Sequence, residues 1–182
     1  ISQFGTYGSG NGQFNMNTWT RWSGIAIDSV GDIYVTDLGN SRVQKFDSNG
    51  NYSSQFSDNI PYPVDVVTDS SNNVYILNNA ARVVKLDSSG NFLSEFSFPQ
   101  GTNAGEIEVS SAIALDPTNG AMYIVDGWNN PRVLKFNSNG TYLSEFGDSN
   151  QLRQSSGVAL DDTGSIYVTS EYWDRGLQKF SS

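Results

Sequence analysis

Ser23-Gly24-Ile25-Ala26-Ile27-Asp28 opens a unit that occurs four times in the chain. It returns as Pro63 to Asp69, as Ser111-Ala112-Ile113-Ala114-Leu115-Asp116 and as Ser156-Gly157-Val158-Ala159-Leu160-Asp161. Each copy runs on through an apolar-Tyr-apolar stretch: Ile33-Tyr34-Val35, Val74-Tyr75-Ile76, Met122-Tyr123-Ile124 and Ile166-Tyr167-Val168. A Lys-hydrophobe pair follows, at Lys45-Phe46, Lys85-Leu86, Lys135-Phe136 and Lys179-Phe180. Short strands repeating every roughly 40 to 50 residues mark a solenoid, a propeller or an array.

Working outward, each of the first three units ends in a further strand that places Phe 11 residues after its Lys, at Phe56, Phe96 and Phe146. The fourth unit stops at Phe180-Ser181-Ser182 without one, whereas Ile1-Ser2-Gln3-Phe4-Gly5 reads like Leu143-Ser144-Glu145-Phe146-Gly147. Joining the ends puts Phe4 seven positions after Lys179, four short of the repeat spacing and about the length of a hairpin turn. The strand Ile1, Ser2, Gln3, Phe4 is therefore expected to complete the last unit and remove its unpaired edge. Four strands per unit, a to d, give an all-β, four-bladed β-propeller as one domain over 1–182. Its blades span about 23–56, 63–96, 111–146 and 156–182 plus 1–4.

The 182 residues include 18 Gly and no Cys or His, which suits many tight turns and excludes disulfides, thiol chemistry and imidazole catalysis. A net charge of −9 argues against nucleic acid, and no apolar run is long enough to span a membrane. Ile at the first position fits a removed leader or a trimmed chain, and the composition fits a secreted protein. The loops Asp28 to Asp32, Asp69 to Asn73, Asp116 to Gly120 and Asp161 to Gly164 read as hairpins in which Asp caps its own backbone. A calcium reading of these loops lacks the liganding Glu and the loop length of a dedicated site.

Gly24-Ile25-Ala26-Ile27-Asp28, Gly31 to Asp37, Asn40-Ser41-Arg42-Val43-Gln44-Lys45-Phe46 and Gly8-Ser9-Gly10-Asn11-Gly12-Gln13-Phe14 resemble NHL repeats across essentially the whole chain. That resemblance implies four-stranded propeller blades. Family members commonly have six, so a four-unit chain has three routes: closure as a monomer, a ring shared by two chains, or strand exchange that propagates as a filament. In propellers function sits on the b–c loops and d–a connections, where Trp19, Trp22, Tyr62, Trp128, Asn129, Tyr172 and Trp173 are the ligand-binding candidates. They suit a protein or glycan ligand, or alternatively plug the centre of the ring. Asp37, Asn78 and Asp126 recur at the end of strand b as candidate ligands of a Ca2+ ion, or as local caps. Arg42, Arg82 and Arg132 are expected to pair with Asp residues between blades. Asn51 and Asn139 head glycosylation sequons on c–d hairpins.

Some relatives of this fold are lyases or lactonases with central metals, and NHL-type lyases commonly use histidines, which this chain lacks. The expected function is thus a non-catalytic extracellular binding or assembly module without a cofactor. The alternative is a metal-dependent lactonase or hydrolase centred on Asp37, Asn78 and Asp126.

Overall fold

The Tyr-centred runs become the second strand of every sheet because their alternating side chains have two apolar faces to bury. The computed structural model describes residues 3–15, 23–152, 154–170 and 176–181. Blade one comprises β3 (Ile25–Ile27), β4 (Ile33–Asp37), β5 (Arg42–Phe46) and β6 (Tyr52–Phe56), preceded by the short strands β1 (Thr6–Tyr7) and β2 (Gln13–Phe14). Blade two comprises β7 (Pro63–Thr68), β8 (Val74–Asn78), β9 (Arg82–Leu86) and β10 (Phe92–Ser97). Blade three comprises β11 (Ser110–Leu115), β12 (Met122–Asp126), β13 (Arg132–Phe136) and β14 (Tyr142–Phe146). Blade four comprises β15 (Ser155–Leu160), β16 (Ile166–Ser170) and β17 (Leu177–Phe180). Strands neighbour one another in chain order within each sheet. The all-β expectation of four antiparallel propeller blades is met. Among the described residues the fourth blade has three strands. Ile1 and Ser2 lie outside those residues, and Gln3 and Phe4 belong to no strand.

Register explains the repeated Lys. Tyr34 pairs with Lys45, Tyr123 with Lys135 and Tyr167 with Lys179 across the b and c strands. The ammonium lies over the neighbouring ring in every blade, 5.3 Å from the centroid of Tyr34, 4.7 Å from Tyr75, 5.1 Å from Tyr123 and 5.0 Å from Tyr167. Lys45 also meets Asp32 at 2.8 Å and Lys85 meets Asp69 at 3.4 Å, tying strand c to the a–b turn. Burial lowers the Lys45 pKa, but hydrogen bonds with Asp32 and Tyr34 outweigh it and the net shift is upward.

The Asp-led turns form as expected. Asp28 Oδ1 accepts from the N–H groups of Val30 and Asp32 at 3.1 and 2.9 Å, and its carbonyl accepts from Gly31. Asp69 and Asp161 repeat the pattern. In the c–d hairpins Gly50, Gly90 and Gly140 adopt φ of +83°, +90° and +80°. A Cβ at these positions would meet the rings of Phe4, Phe56 and Phe96 at 2.7, 2.6 and 2.7 Å, so both backbone and space require glycine.

The chain divides into two compact units, one of residues 1–78 with 84–94 and one of 79–83 with 95–182. The core of the first gathers Tyr34, Val43 and Phe56 of blade one with Val66, Ile76 and Val84 of blade two. The core of the second gathers Tyr123, Val125 and Val133 of blade three with Leu152, Ile166 and Val168.

The turn carboxylates set an acid limit. Asn51 and Asn91 donate to Asp47 and Asp87, and the Thr163 hydroxyl donates to Asp161, holding all three below the usual carboxylate range. Groups depressed in the folded state contribute stability that is present above the unfolded pKa and lost as pH falls through the folded one. Stability to urea is therefore expected to decline below about pH 4. Asp161→Asn should flatten that decline, which urea titrations across the acid range would measure.

Candidate functional site

Asp37 ends β4, Arg42 begins β5, and the two are cross-strand partners. Both are buried, at 0 % and 5 % exposure. Arg42 Nε donates to Asp37 Oδ2 at 2.7 Å, while Nη2 donates to the carbonyls of Gly10 and Gln13, each at 2.7 Å. Nη1 donates to Gln55 Oε1 at 2.7 Å. The guanidinium thus fastens the 8–15 segment onto the blade. Asp37 also accepts from the Asn15 N–H at 2.8 Å, from Asn40 Nδ2 at 2.9 Å and from Gln44 Nε2 at 3.1 Å.

Blade three repeats the device. Arg132 Nη2 donates to the carbonyls of Asn103 and Glu106 at 3.0 and 2.8 Å, and Nη1 donates to both Glu145 oxygens at 3.0 and 3.1 Å. Asp126 accepts from the N–H groups of Val109 and Glu108 at 3.0 and 3.1 Å. Burial raises its pKa against the pull of these two N–H donors. The expectation that these arginines pair between blades is corrected: Arg42 and Arg132 find their carboxylates within their own blades, because register brings the b and c strand ends together.

The three candidate metal ligands sit at matching strand ends, all buried: Asp37 and Asn78 in the first unit, Asp126 in the second. Asp37 and Asp126 are committed to N–H donors that a cation would have to displace. Among the described residues no group of three or more His, Cys, Asp or Glu is placed to hold a metal.

A second constellation surrounds the β12–β13 loop. Trp128 is 57 % exposed, and Asn129 Nδ2 donates to Glu108 Oε1 at 2.8 Å. Glu108 is anchored through its own N–H on Asp126, and its Oε2 is buried without a hydrogen-bond partner among the described residues. An exposed indole next in sequence to a fixed amide–carboxylate pair offers a stacking surface. Sequence reading passed over Glu108; its signal lies two residues after Glu106, in the connection that Arg132 clamps. Tyr62 is 55 % exposed at φ +50°, a strained backbone for a residue with a side chain. Trp19, Trp22, Tyr172 and Trp173 lie outside the described residues. Asn51 and Asn139 are exposed on their hairpins, with Asn51 Nδ2 donating to Asp47 at 2.8 Å.

Four antiparallel meanders carrying the same Tyr–Lys contact, three of them with a Phe ring against the c–d hairpin Gly, define a β-propeller repeat protein. Residues 23–46 match the NHL repeat family model. It is similar to a streptogramin B lyase at 18% identity, covering 93% of this chain and 57% of that one with a TM-score of 0.61. It is similar to a gluconolactonase from Xanthomonas campestris at 16% identity, 88% and 58% coverage and TM-score 0.68. A chain of a nidogen–laminin complex gives 16% identity, 88% and 60% coverage and TM-score 0.66. At such identities the likeness is one of fold, shared by enzymes and by proteins of binding complexes. The chain spans under two thirds of the length of each. No curated protein matches the sequence.

Asp37→Ala would strand a buried guanidinium. It is expected to cost about 3–5 kcal/mol in urea unfolding. Arg42→Lys keeps the charge but loses the fork that reaches two carbonyls, and should cost less than Asp37→Ala.

Proposed function

We propose that this chain is a non-catalytic binding module of an extracellular setting that takes a glycan, or a glycosylated protein, on the face carrying Trp128. The observation that carries this reading is the exposed Trp128 next to the Asn129–Glu108 bond, with the buried Glu108 Oε2 without a donor among the described residues. A sugar presents an apolar C–H face to stack on the indole and hydroxyl donors for a carboxylate. The formal charge of −9 disfavours polyanions and is compatible with neutral sugars. The outer-rim sequons at Asn51 and Asn139 support the extracellular setting.

The competing lactonase or hydrolase reading needs Asp37 and Asp126 to give up their backbone and side-chain donors to a cation. Turnover of a lactone panel with added Ca2+, abolished by Asp126→Ala, would replace the binding reading.

Glycan-array screening followed by titration calorimetry on the best hit tests the proposal. Trp128→Ala is expected to weaken binding by about tenfold or more, equal to about 1.4 kcal/mol, while leaving stability within about 0.5 kcal/mol. Glu108→Gln should weaken it further. Equal affinity in all three proteins would refute this placement of the site.

A further inference from the structure

Blades one, two and three share a corner where strand c ends and the c–d hairpin begins. In blade one it is built from Phe46, Gly50 and Tyr52, with the ring of Phe4 seated on the glycine. Blade three repeats it as Phe136, Gly140 and Tyr142 with Phe96, and blade two as Leu86, Gly90 and Phe92 with Phe56.

In blades one and three a long connection passes over this corner and fills it. Phe14 stacks on Phe46 with ring centroids 5.8 Å apart, and a Cβ at Gly12 would meet the Cβ of Tyr52 at 3.9 Å. Phe98 lies 4.1 Å from Phe136, and a Cβ at Gly105 would meet the ring of Tyr142 at 3.1 Å. Each connection thus supplies a ring for the end of strand c and a glycine whose backbone runs close over the tyrosine. Tyr52 and Tyr142 are both half-buried.

Blade two is served by the short β6–β7 connection, residues 57–62, which has no glycine. The one ring of that connection, Tyr62, does not line the corner, and only Ile60 joins Phe56 and Leu86 in the core. Phe92 stays 61 % exposed beside a cleft of about 640 Å³, walled by residues 55–60 on one side and by Leu86 and residues 89–92 on the other. Both walls belong to the first unit. The volume is within the range of clefts that enclose a ligand.

The rim carries one carboxylate, Asp58, and no lysine or arginine. Among the described residues no cation pairs with Asp58. Lys45 reaches the neighbouring Ser88 carbonyl at 3.1 Å, but Asp32 at 2.8 Å already offsets its charge. On a chain of net charge −9 this rim favours a cationic occupant.

We infer that the cleft binds an extended segment of a partner protein that carries an aromatic side chain, a glycine and a lysine or arginine. The ring rests on Leu86 and Phe56 as Phe14 rests on Phe46 and Phe98 on Phe136. The glycine crosses Phe92 as Gly12 crosses Tyr52 and Gly105 crosses Tyr142, and the basic side chain meets Asp58. The connections over blades one and three are, in effect, ligands of the same corner supplied by the chain itself; blade two leaves that place to a segment from outside.

This inference goes beyond the glycan reading and is independent of it. Fluorescence anisotropy tests it with labelled short peptides built on Gly-x-Phe followed by lysine at varied spacing. At least one is expected to bind the full chain with a Kd of about 1 mM or tighter. Replacing its Phe by Ala, or making Phe92→Ala in the protein, should weaken binding about tenfold, and Phe92→Ala should leave urea unfolding nearly unchanged because the ring is exposed. Ser89→Trp, from an exposed rim position, should fill the cleft and abolish binding. Asp58→Lys should reverse the charge preference, so that the same peptide with Glu in place of Lys binds better, a swap that a merely structural role would not produce. Absence of binding across the panel, equal binding by peptides lacking the ring, or affinities that ignore both Phe92→Ala and Asp58→Lys would overturn the proposal. Titrating the glycan hit into Ser89→Trp keeps the two readings apart: lost peptide binding with retained glycan binding leaves the Trp128 site standing.

Discussion

The Tyr-centred second strand of each blade carries apolar side chains on both faces, and water on either face costs about 25 cal/mol for each Å² of apolar surface exposed. Each blade buries that surface against its neighbour within its unit. The constraint accounts for the repeat itself: the Tyr-bearing face of one unit must fit the Val and Ile face of the next, so both faces are held to a narrow alphabet. It also explains why Tyr34 and Tyr123 are buried rings with an ammonium over one side. The Lys stem covers the ring while its charge reaches the a–b turn, so burial of the Tyr face stays compatible with a wet outer edge.

Two further devices complete the blade at its ends. Asp carboxylates organise the hairpins where strands reverse, and a buried Asp–Arg pair holds the incoming connection. A buried ion pair is weak support for stability when it only offsets its own desolvation. Here Arg42 Nη2 donates to the carbonyls of Gly10 and Gln13, in the segment that carries the short β1–β2 ladder. The pair thus ties that segment's backbone to blade one.

Much of this was legible in the residues. Blade number, strand order, the Asp-led hairpins and the Phe spacing follow from repetition, because repeated side chains meet repeated surroundings. The repeated Lys was visible, but its purpose emerges only from the register that sets it beside Tyr. The arginines were misjudged for the same reason: a fixed offset within the repeat does not say whether a partner lies in the same blade or the next. Glu108 escaped notice because it occurs in one blade, where no repetition points to it. The role of Phe4 was half visible. Its likeness to Phe146 was plain in Leu143 to Gly147, whereas its seat on Phe46 and Gly50 required coordinates.

What does not repeat is therefore where chemistry specific to this chain has room to exist. The connection from β6 to β7 is short. That from β10 to β11 is longer and turns through Gly101 to Glu106, so that Arg132 can grip two of its carbonyls. The extra length carries Glu108 to the end of β12, where the Asp126 carboxylate holds its N–H and Asn129 reaches its side chain. The clamp that completes the fold in blade one becomes, in blade three, the support for an exposed Trp and a carboxylate oxygen without a donor among the described residues. A change of connection length, with the blade beneath it kept constant by the need to bury two faces, suffices to turn a structural motif into a candidate binding site.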